Sequence, residues 1–314
     1  MLTQSHLRFL YAEADTLEAR VGNTPLLRLA QVAAGLPSTV QVFAKAEWFN
    51  PSGSVKDRPA LNILRTALDN GDLNGRRLLD STSGNMGIAY ATFGAARNVG
   101  VTLAVPGNAS PERLSILRAL GAALILTDPL EGSDGAILEA RRLAAEQPER
   151  YFYANQYDNP ANWQAHYHTT GPEIIAQTDG QVTHFVAGLG TSGTFTGTGR
   201  RLKEYNPAIQ IVAAQPDSPF NGLEGLKHMP TAIKPGIYSE ALADANVAVE
   251  TEAAQAMTLR LAREEGLFVG ISSGAAVVAA LEVARTLTEG VVVTVFPDAG
   301  FKYLSERFWG EHVG

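Results

Sequence analysis

Short, nearly uninterrupted apolar runs alternate along this chain with segments of helical periodicity, and no other feature constrains the fold as tightly. Residues 40–44, 101–105, 183–187, 209–214 and 291–296 are strand-length runs rich in Val, Ile and Ala; 122–126 is a further apolar run, and 77–81 reads as a short strand. Between them the spacing predicts helices over 55–68, 85–97, 111–120, 136–146, 194–204, 251–265 and 273–287. Strands that are apolar on both faces belong to parallel sheets covered by helices on each side. The chain has 314 residues, more than one ordinary core holds. The expected fold is therefore α/β: two open, mostly parallel twisted sheets with helices on both faces.

Composition removes several classes of function. No run approaches the ~20 apolar residues that a membrane-crossing helix needs, so no membrane role is expected. The first ten residues lack the basic segment and apolar core of a secretory signal, and the chain has no Cys. A cytoplasmic protein without disulfides, thiolate metal sites or a cysteine nucleophile is expected. A net charge of -7 argues against a nucleic-acid partner. The six His are scattered, and His166 and His168 sit at a spacing that fits no zinc pattern. They read as loop or surface residues, and no metal is expected.

Two segments break the alternation. Residues 151–163, rich in aromatic, Asn and Pro residues, read as a crossover between the two halves. Residues 217–238 are interrupted by Pro and Gly without a clear period, and irregular segments of that length are often functional.

Ligands of open α/β sheets bind beyond the carboxyl ends of strands, which directs attention to four polar strand-to-helix turns. The first runs from Asn50 to Arg58 and puts Lys56 at a helix start. The positive end of the helix dipole depresses an amine's pKa there, as Schiff-base chemistry requires. Read alone, a solvated lysine beside the helix-face charges Asp57 and Arg58 is the commoner case. The second, Ser81 to Gly87, collects hydroxyls, Gly84 and Asn85 at a helix start, which suits either a carboxylate or simple capping. The third carries Gly188, Gly190 and Gly193 with Thr191, Ser192 and Thr194. Glycine spacing of this kind suits a phosphate at a helix N-terminus. It also satisfies the dinucleotide pattern, with Asp217 near the expected acidic position. Three hydroxyls suit a terminal phosphate monoester better. The fourth, Gly270 to Ala276, offers Ser272 and Ser273 either to a ring nitrogen or as helix caps.

Together, and in this order, the turns resemble the fold-type II pyridoxal phosphate enzymes, and most closely the cysteine synthase family. The stretch Val21 to Leu26 resembles that family's opening signature, and the agreement runs to about residue 306. The resemblance implies the fold of the tryptophan synthase β chain. It implies a smaller, mobile N-terminal α/β domain over 46–157, with 1–45 and 158–314 forming a larger one. It implies pyridoxal 5'-phosphate as cofactor, held by Lys56 as a Schiff base. Asn85 then meets the phenolic oxygen, Gly190, Thr191, Ser192, Gly193 and Thr194 the phosphate, and Ser272 the ring nitrogen. Thr82 and Ser83 bind the substrate carboxylate, Gln156 makes a further substrate contact, and the protein is a homodimer.

The implied reaction is β-replacement through an α-aminoacrylate, making cysteine from O-acetylserine or O-phosphoserine and a sulfur donor. Lys56 acts as the base at Cα. A serine at the ring nitrogen does not hold the ring protonated, which favours prompt loss of the β-substituent over transamination. The family's carboxylate loop usually has a second threonine where this chain has Met86, so no role is carried to Met86. The tail from Asp298 to Ser305 resembles the B-type branch. For that branch sulfide, thiosulfate or a sulfur-carrier protein are compatible donors. Lys227 falls where relatives that use O-phosphoserine carry an arginine; it reads either as a substrate-phosphate contact or as a solvated loop lysine. Cystathionine β-synthase-like condensation and hydroxy-amino-acid dehydration are the alternatives within this chemistry. A nicotinamide dehydrogenase, the alternative outside it, gives no reason for Lys56.

Overall fold

The computed structural model describes residues 16–82 and 84–310. Ser83 lies outside the described residues. The larger sheet contains β1 (Leu26–Arg28), β2 (Val40–Ala46), β7 (His184–Gly188), β8 (Gln210–Pro216), β9 (Ala245–Val249) and β10 (Gly290–Phe296), in the order β1-β2-β10-β7-β8-β9. All its pairings are parallel except that of β1 with β2. The smaller sheet is wholly parallel, in the order β5-β4-β3-β6, from β3 (Arg77–Ser81), β4 (Val101–Pro106), β5 (Ala123–Thr127) and β6 (Tyr151–Tyr153).

The helices are α1 (Asp57–Asp69), α2 (Asn85–Ala96), α3 (Pro111–Ala119), α4 (Gly132–Glu146), α5 (Pro160–His168), α6 (Thr170–Gln177), α7 (Gly193–Tyr205), α8 (Thr251–Glu264), α9 (Ile271–Ala284) and the single turn α10 (Arg307–Gly310). The expected fold class is met. Every residue of β4 is buried, as expected of a strand covered on both faces, whereas β5 at the sheet edge has no fully buried residue. Among helices, α9 is buried along nearly its whole length by Ala, Val and Leu, and lies against α8 and β10.

Two expectations change. Residues 151–163 are more than a crossover: they begin with β6, which pairs with β3, and end in the first turn of α5. Three aromatic residues in a short edge strand leave too few positions for a period to show. His166 is neither a loop nor a surface residue. It lies on α5, 1% exposed, bonded through Nδ1 to Thr170 Oγ1 at 2.9 Å.

In parallel sheets all the carboxyl ends face one way. The turns after β3, β7 and β10 open on the same space between the two sheets, joined there by the start of α9 and the loop 217–238.

Candidate active site

That space is a cavity of about 290 Å³ lined by Lys56, Thr82, Asn85, Gln156, the stretch Gly190–Thr194, Lys227 and Ser272. The structure thus brings together every site residue expected from the sequence except Ser83, which lies outside the described residues. Met86 also lines the cavity, with its thioether side chain buried.

Lys56 immediately precedes α1, in helical conformation and with no side-chain cap. Burial lowers its pKa from the ordinary lysine value, opposed by the nearby Asp298 carboxylate. The free amine is therefore favoured, and burial rather than the helix dipole is the main reason. Asp57 and Arg58 are not surface charges: both are buried. Asp57 accepts from Ser52 N–H at 2.6 Å and from the Ser52 hydroxyl, which closes the turn leading to Lys56. Burial raises Asp57 to about 6.

Arg58 anchors that turn from below. It donates to Glu47 at 2.7 and 2.8 Å and to Glu173 at 2.6 and 2.8 Å. Lys45 joins Glu173 at 2.6 Å, and Thr24 donates to Glu47 at 2.7 Å. Burial alone raises Glu47, but the Arg58 guanidinium outweighs it and holds the carboxyl at about 2. The network ties the end of β2 and the start of α1 to α6.

After β3, Thr82 Oγ1 accepts from the N–H groups of Gly84 at 3.0 Å and Gly87 at 3.1 Å, so its own proton remains for an anion. The N-cap residue of α2, Gly84, has no side chain, and Thr82 satisfies one first-turn N–H of the helix, that of Gly87. Gln156 donates to Ser81 O at 2.5 Å, and its backbone N–H donates to Asp80 at 3.2 Å.

The third turn is shaped for close approach. Ser192 adopts a left-handed conformation (φ 65°) immediately before α7, which again has no side-chain cap. Its first-turn N–H groups are left for an anion. A Cβ on Gly190 would fall 2.3 Å from the Gly225 carbonyl oxygen, and one on Gly193 1.9 Å from Asn162 Oδ1. Asn162 donates to Gln156 O at 2.7 Å and Thr191 Oγ1 at 3.3 Å, linking the crossover to this loop. His166 Nε2 lies 3.3 Å from Thr194 Oγ1. In the fourth turn α9 starts after Gly270 without a side-chain cap, so Ser272 and Ser273 are inside the helix rather than capping it. Ser272 lines the cavity.

Lys227 is not solvated. Its side chain is 9% exposed, bonded to Asp134 Oδ1 at 2.8 Å, with Nζ 5.2 Å from the Tyr157 ring centre. Sequence reasoning missed Arg113, Glu224 and the tail residues as parts of the site. Arg113 is buried on α3, pairs with Glu224 and lies 4.9 Å from the Tyr303 ring centre. Arg113, Glu224 and Ser133 also line an adjoining cavity of about 430 Å³. Asn85 meets Asp298 and Lys302. Among the described residues no group of His, Asp and Glu is arranged to hold a metal, and no helix is long and apolar enough to cross a membrane.

A family model described as pyridoxal-phosphate dependent enzyme matches residues 17–298. A cysteine synthase of Aquifex aeolicus is 52% identical over 303 residues, 95% of this chain and 93% of the relative. Cysteine synthase B of Pseudomonas aeruginosa is 43% identical over 291 residues, 92% of this chain and 96% of the relative. The crystal structure of a cysteine synthase from Entamoeba histolytica superposes with a TM-score of 0.89 at 35% identity, covering 94% of this chain and 90% of that one.

Proposed function

The chain belongs to the family of pyridoxal-phosphate dependent enzymes, and from that membership we infer its reaction: pyridoxal-phosphate-dependent synthesis of cysteine by replacing the β-substituent of an activated serine. One observation carries the reading. Lys56, Asn85, the glycine loop after β7 and Ser272 come from four separate turns and line one cavity. Such sites recur where one cofactor must be met at several atoms.

The residues fit that cofactor. The uncapped start of α7 and the space kept open at Gly190 and Gly193 suit its phosphate. We assign Gly190 through Thr194 to the phosphate, Ser272 to the ring nitrogen, Asn85 to the ring oxygen and Lys56 to the aldehyde carbon. When bound, pyridoxal phosphate supplies the electron sink that acidifies the substrate Cα–H and drives loss of the β-substituent.

The chain supplies the rest. Burial shifts Lys56 toward its free amine, which would take the proton from Cα and later return it. The Thr82 proton and the backbone N–H groups at the start of α2 bind the substrate carboxylate. Met86 adds an apolar wall there in place of a hydroxyl. Gln156, fixed by Ser81 and Asp80, borders the substrate.

Besides Lys56, the basic side chains lining the cavity, Lys227 and Arg113, are already paired with Asp134 and Glu224. A neutral acetyl ester enters without displacing either carboxylate, so we propose O-acetylserine as the preferred substrate, with O-phosphoserine second. Sulfide, thiosulfate and a sulfur-carrier protein are all compatible donors. We further propose a cytoplasmic homodimer whose residues 46–157 move as a unit over the cavity. Cystathionine β-synthase-like condensation, dehydration and nicotinamide chemistry are not favoured by the relatives.

The test is direct. Purified protein supplied with pyridoxal phosphate should turn yellow, be bleached by borohydride with the label on Lys56, and form cysteine from O-acetylserine and sulfide. Protein that stays colourless and takes up no pyridoxal phosphate overturns the proposal.

A further inference from the structure

We propose that Asp298 and Lys302 are positioning residues that fix the side-chain amide of Asn85 in one orientation, with an N–H and not the carbonyl presented to the cavity. The inference rests on the reading of the cavity as the cofactor site.

The argument comes from what each neighbour is able to do. Lys302 Nζ bonds Asn85 Oδ1 at 2.8 Å, Ser52 O at 3.1 Å and Gly53 O at 3.2 Å. An ammonium has three donors and no acceptor, so all three are committed to carbonyl oxygens. On the other side, Asn85 Nδ2 donates to Asp298 Oδ2 at 2.6 Å, and the Tyr303 hydroxyl donates to the same oxygen at 2.5 Å. That oxygen is thus an acceptor toward Asn85. A flipped amide would set its NH₂ against an ammonium and its carbonyl against the oxygen that now accepts. Both contacts would be repulsive, inside a site where Asp298 is fully buried.

The amide has two N–H donors. Asp298 takes one. The other has no acceptor among the described residues, and Asn85 lines the cavity. A donor at this place stabilises a deprotonated oxygen on a bound ring, whereas a carbonyl there would disfavour it. Lys302 adds a second effect, because the carbonyls of Ser52 and Gly53 belong to the turn that leads to Lys56. The same ammonium therefore sets Asn85 and the Lys56 turn relative to each other.

The first experiment follows the ring-oxygen deprotonation of bound pyridoxal phosphate by visible absorbance against pH. In K302M the midpoint should rise by about one unit, a tenfold loss worth about 1.4 kcal/mol. K302R should restore most of the shift. N85A should shift it at least as far, and N85A with K302M no further than N85A alone, since the lysine acts through the amide. An unchanged midpoint in K302M, or shifts that add in the double variant, overturns the proposal. The second experiment needs neither cofactor nor variant. In the cofactor-free protein, NMR should show one side-chain N–H of Asn85 exchanging at least tenfold more slowly than the other, because Asp298 holds only one. Equal, fast exchange of both overturns the orientation. Protein that shows the unequal pair yet takes up no pyridoxal phosphate overturns the functional reading and leaves the orientation standing.

Discussion

Lys227 and Asp134 meet at 2.8 Å, one on the loop after β8 and the other on α4. The carboxylate neutralises the one lysine that stands where a substrate phosphate is expected. D134N should therefore raise kcat/KM for O-phosphoserine about tenfold, and K227A should lower it by a similar factor, each about 1.4 kcal/mol. O-Acetylserine turnover should move less than about threefold in either variant. Steady-state cysteine formation with each ester distinguishes them; equal effects on both esters would remove Lys227 from substrate selection.

Arg58 holds two buried carboxylates, Glu47 and Glu173. Removing one partner leaves buried charge uncompensated, so R58M should lose about 3–5 kcal/mol of stability. The E47L/R58M pair should lose less than the sum of its single variants. Urea unfolding midpoints measure both. Because this network supports the turn before α1, R58M should also weaken retention of the cofactor.

His166 predicts an acid-sensitive fold. Burial, helped by the charge of Arg58, lowers its pKa from 6.5 to about 3. The unfolded chain binds a proton at pH 6.5 while the folded chain refuses it until about 3. The contribution to stability is therefore whole above pH 6.5 and lost as pH falls toward 3, at up to about 1.4 kcal/mol per unit. Between pH 7 and 5 the wild type should lose about 1–2 kcal/mol more than H166Q, read from urea unfolding at each pH. Parallel losses in the two proteins would exclude His166 as the source.

G193A places a methyl group 1.9 Å from Asn162 Oδ1, and G190A places one 2.3 Å from the Gly225 carbonyl oxygen. The loop must shift to relieve either contact. Affinity for pyridoxal phosphate should fall at least about tenfold in each, or about 1.4 kcal/mol. An absorbance titration of the cofactor-free protein measures it. G190A should be the worse of the two, because its obstacle is backbone and not a side chain that can turn away.

The parts of the fold that were legible in the sequence are those where burial is complete. β3 is expected at 77–81 and found at Arg77–Ser81; β4, β7, β8 and β10 fall within two residues of their expected bounds. Helix α4 starts four residues before its expected start, at Gly132, because its first turn carries Gly, Ser and Asp and shows no apolar period. The short strands β1, β6 and β9, and helices α5 and α6, have too little one-sided apolar pattern to be read. At the site, residues on strand-to-helix turns were legible because the parallel sheet fixes where such turns go. Arg113, Glu224, Asp134, Asp298 and Lys302 were not assigned there, because each acts through a partner distant in sequence. Glu224 is 111 residues from Arg113, and Lys302 is 217 from Asn85. Lys227 lines the cavity, but its burial and its partner on α4 are tertiary facts that a loop sequence does not carry.

The pairing of β2 with β10 joins Val40 to Gly290. During synthesis β2 leaves the ribosome early and waits for the strand beside which it will lie. At ordinary translation rates that wait is on the order of tens of seconds. The strands of the smaller sheet, by contrast, all lie between Arg77 and Tyr153 and can assemble meanwhile. From Tyr153 until Gly290 is made, the nascent chain can hold one sheet formed while an apolar edge of the other stays uncovered. A transcript truncated before residue 290 would release a product with that edge permanently open, a substrate for chaperones and proteases rather than a partial enzyme.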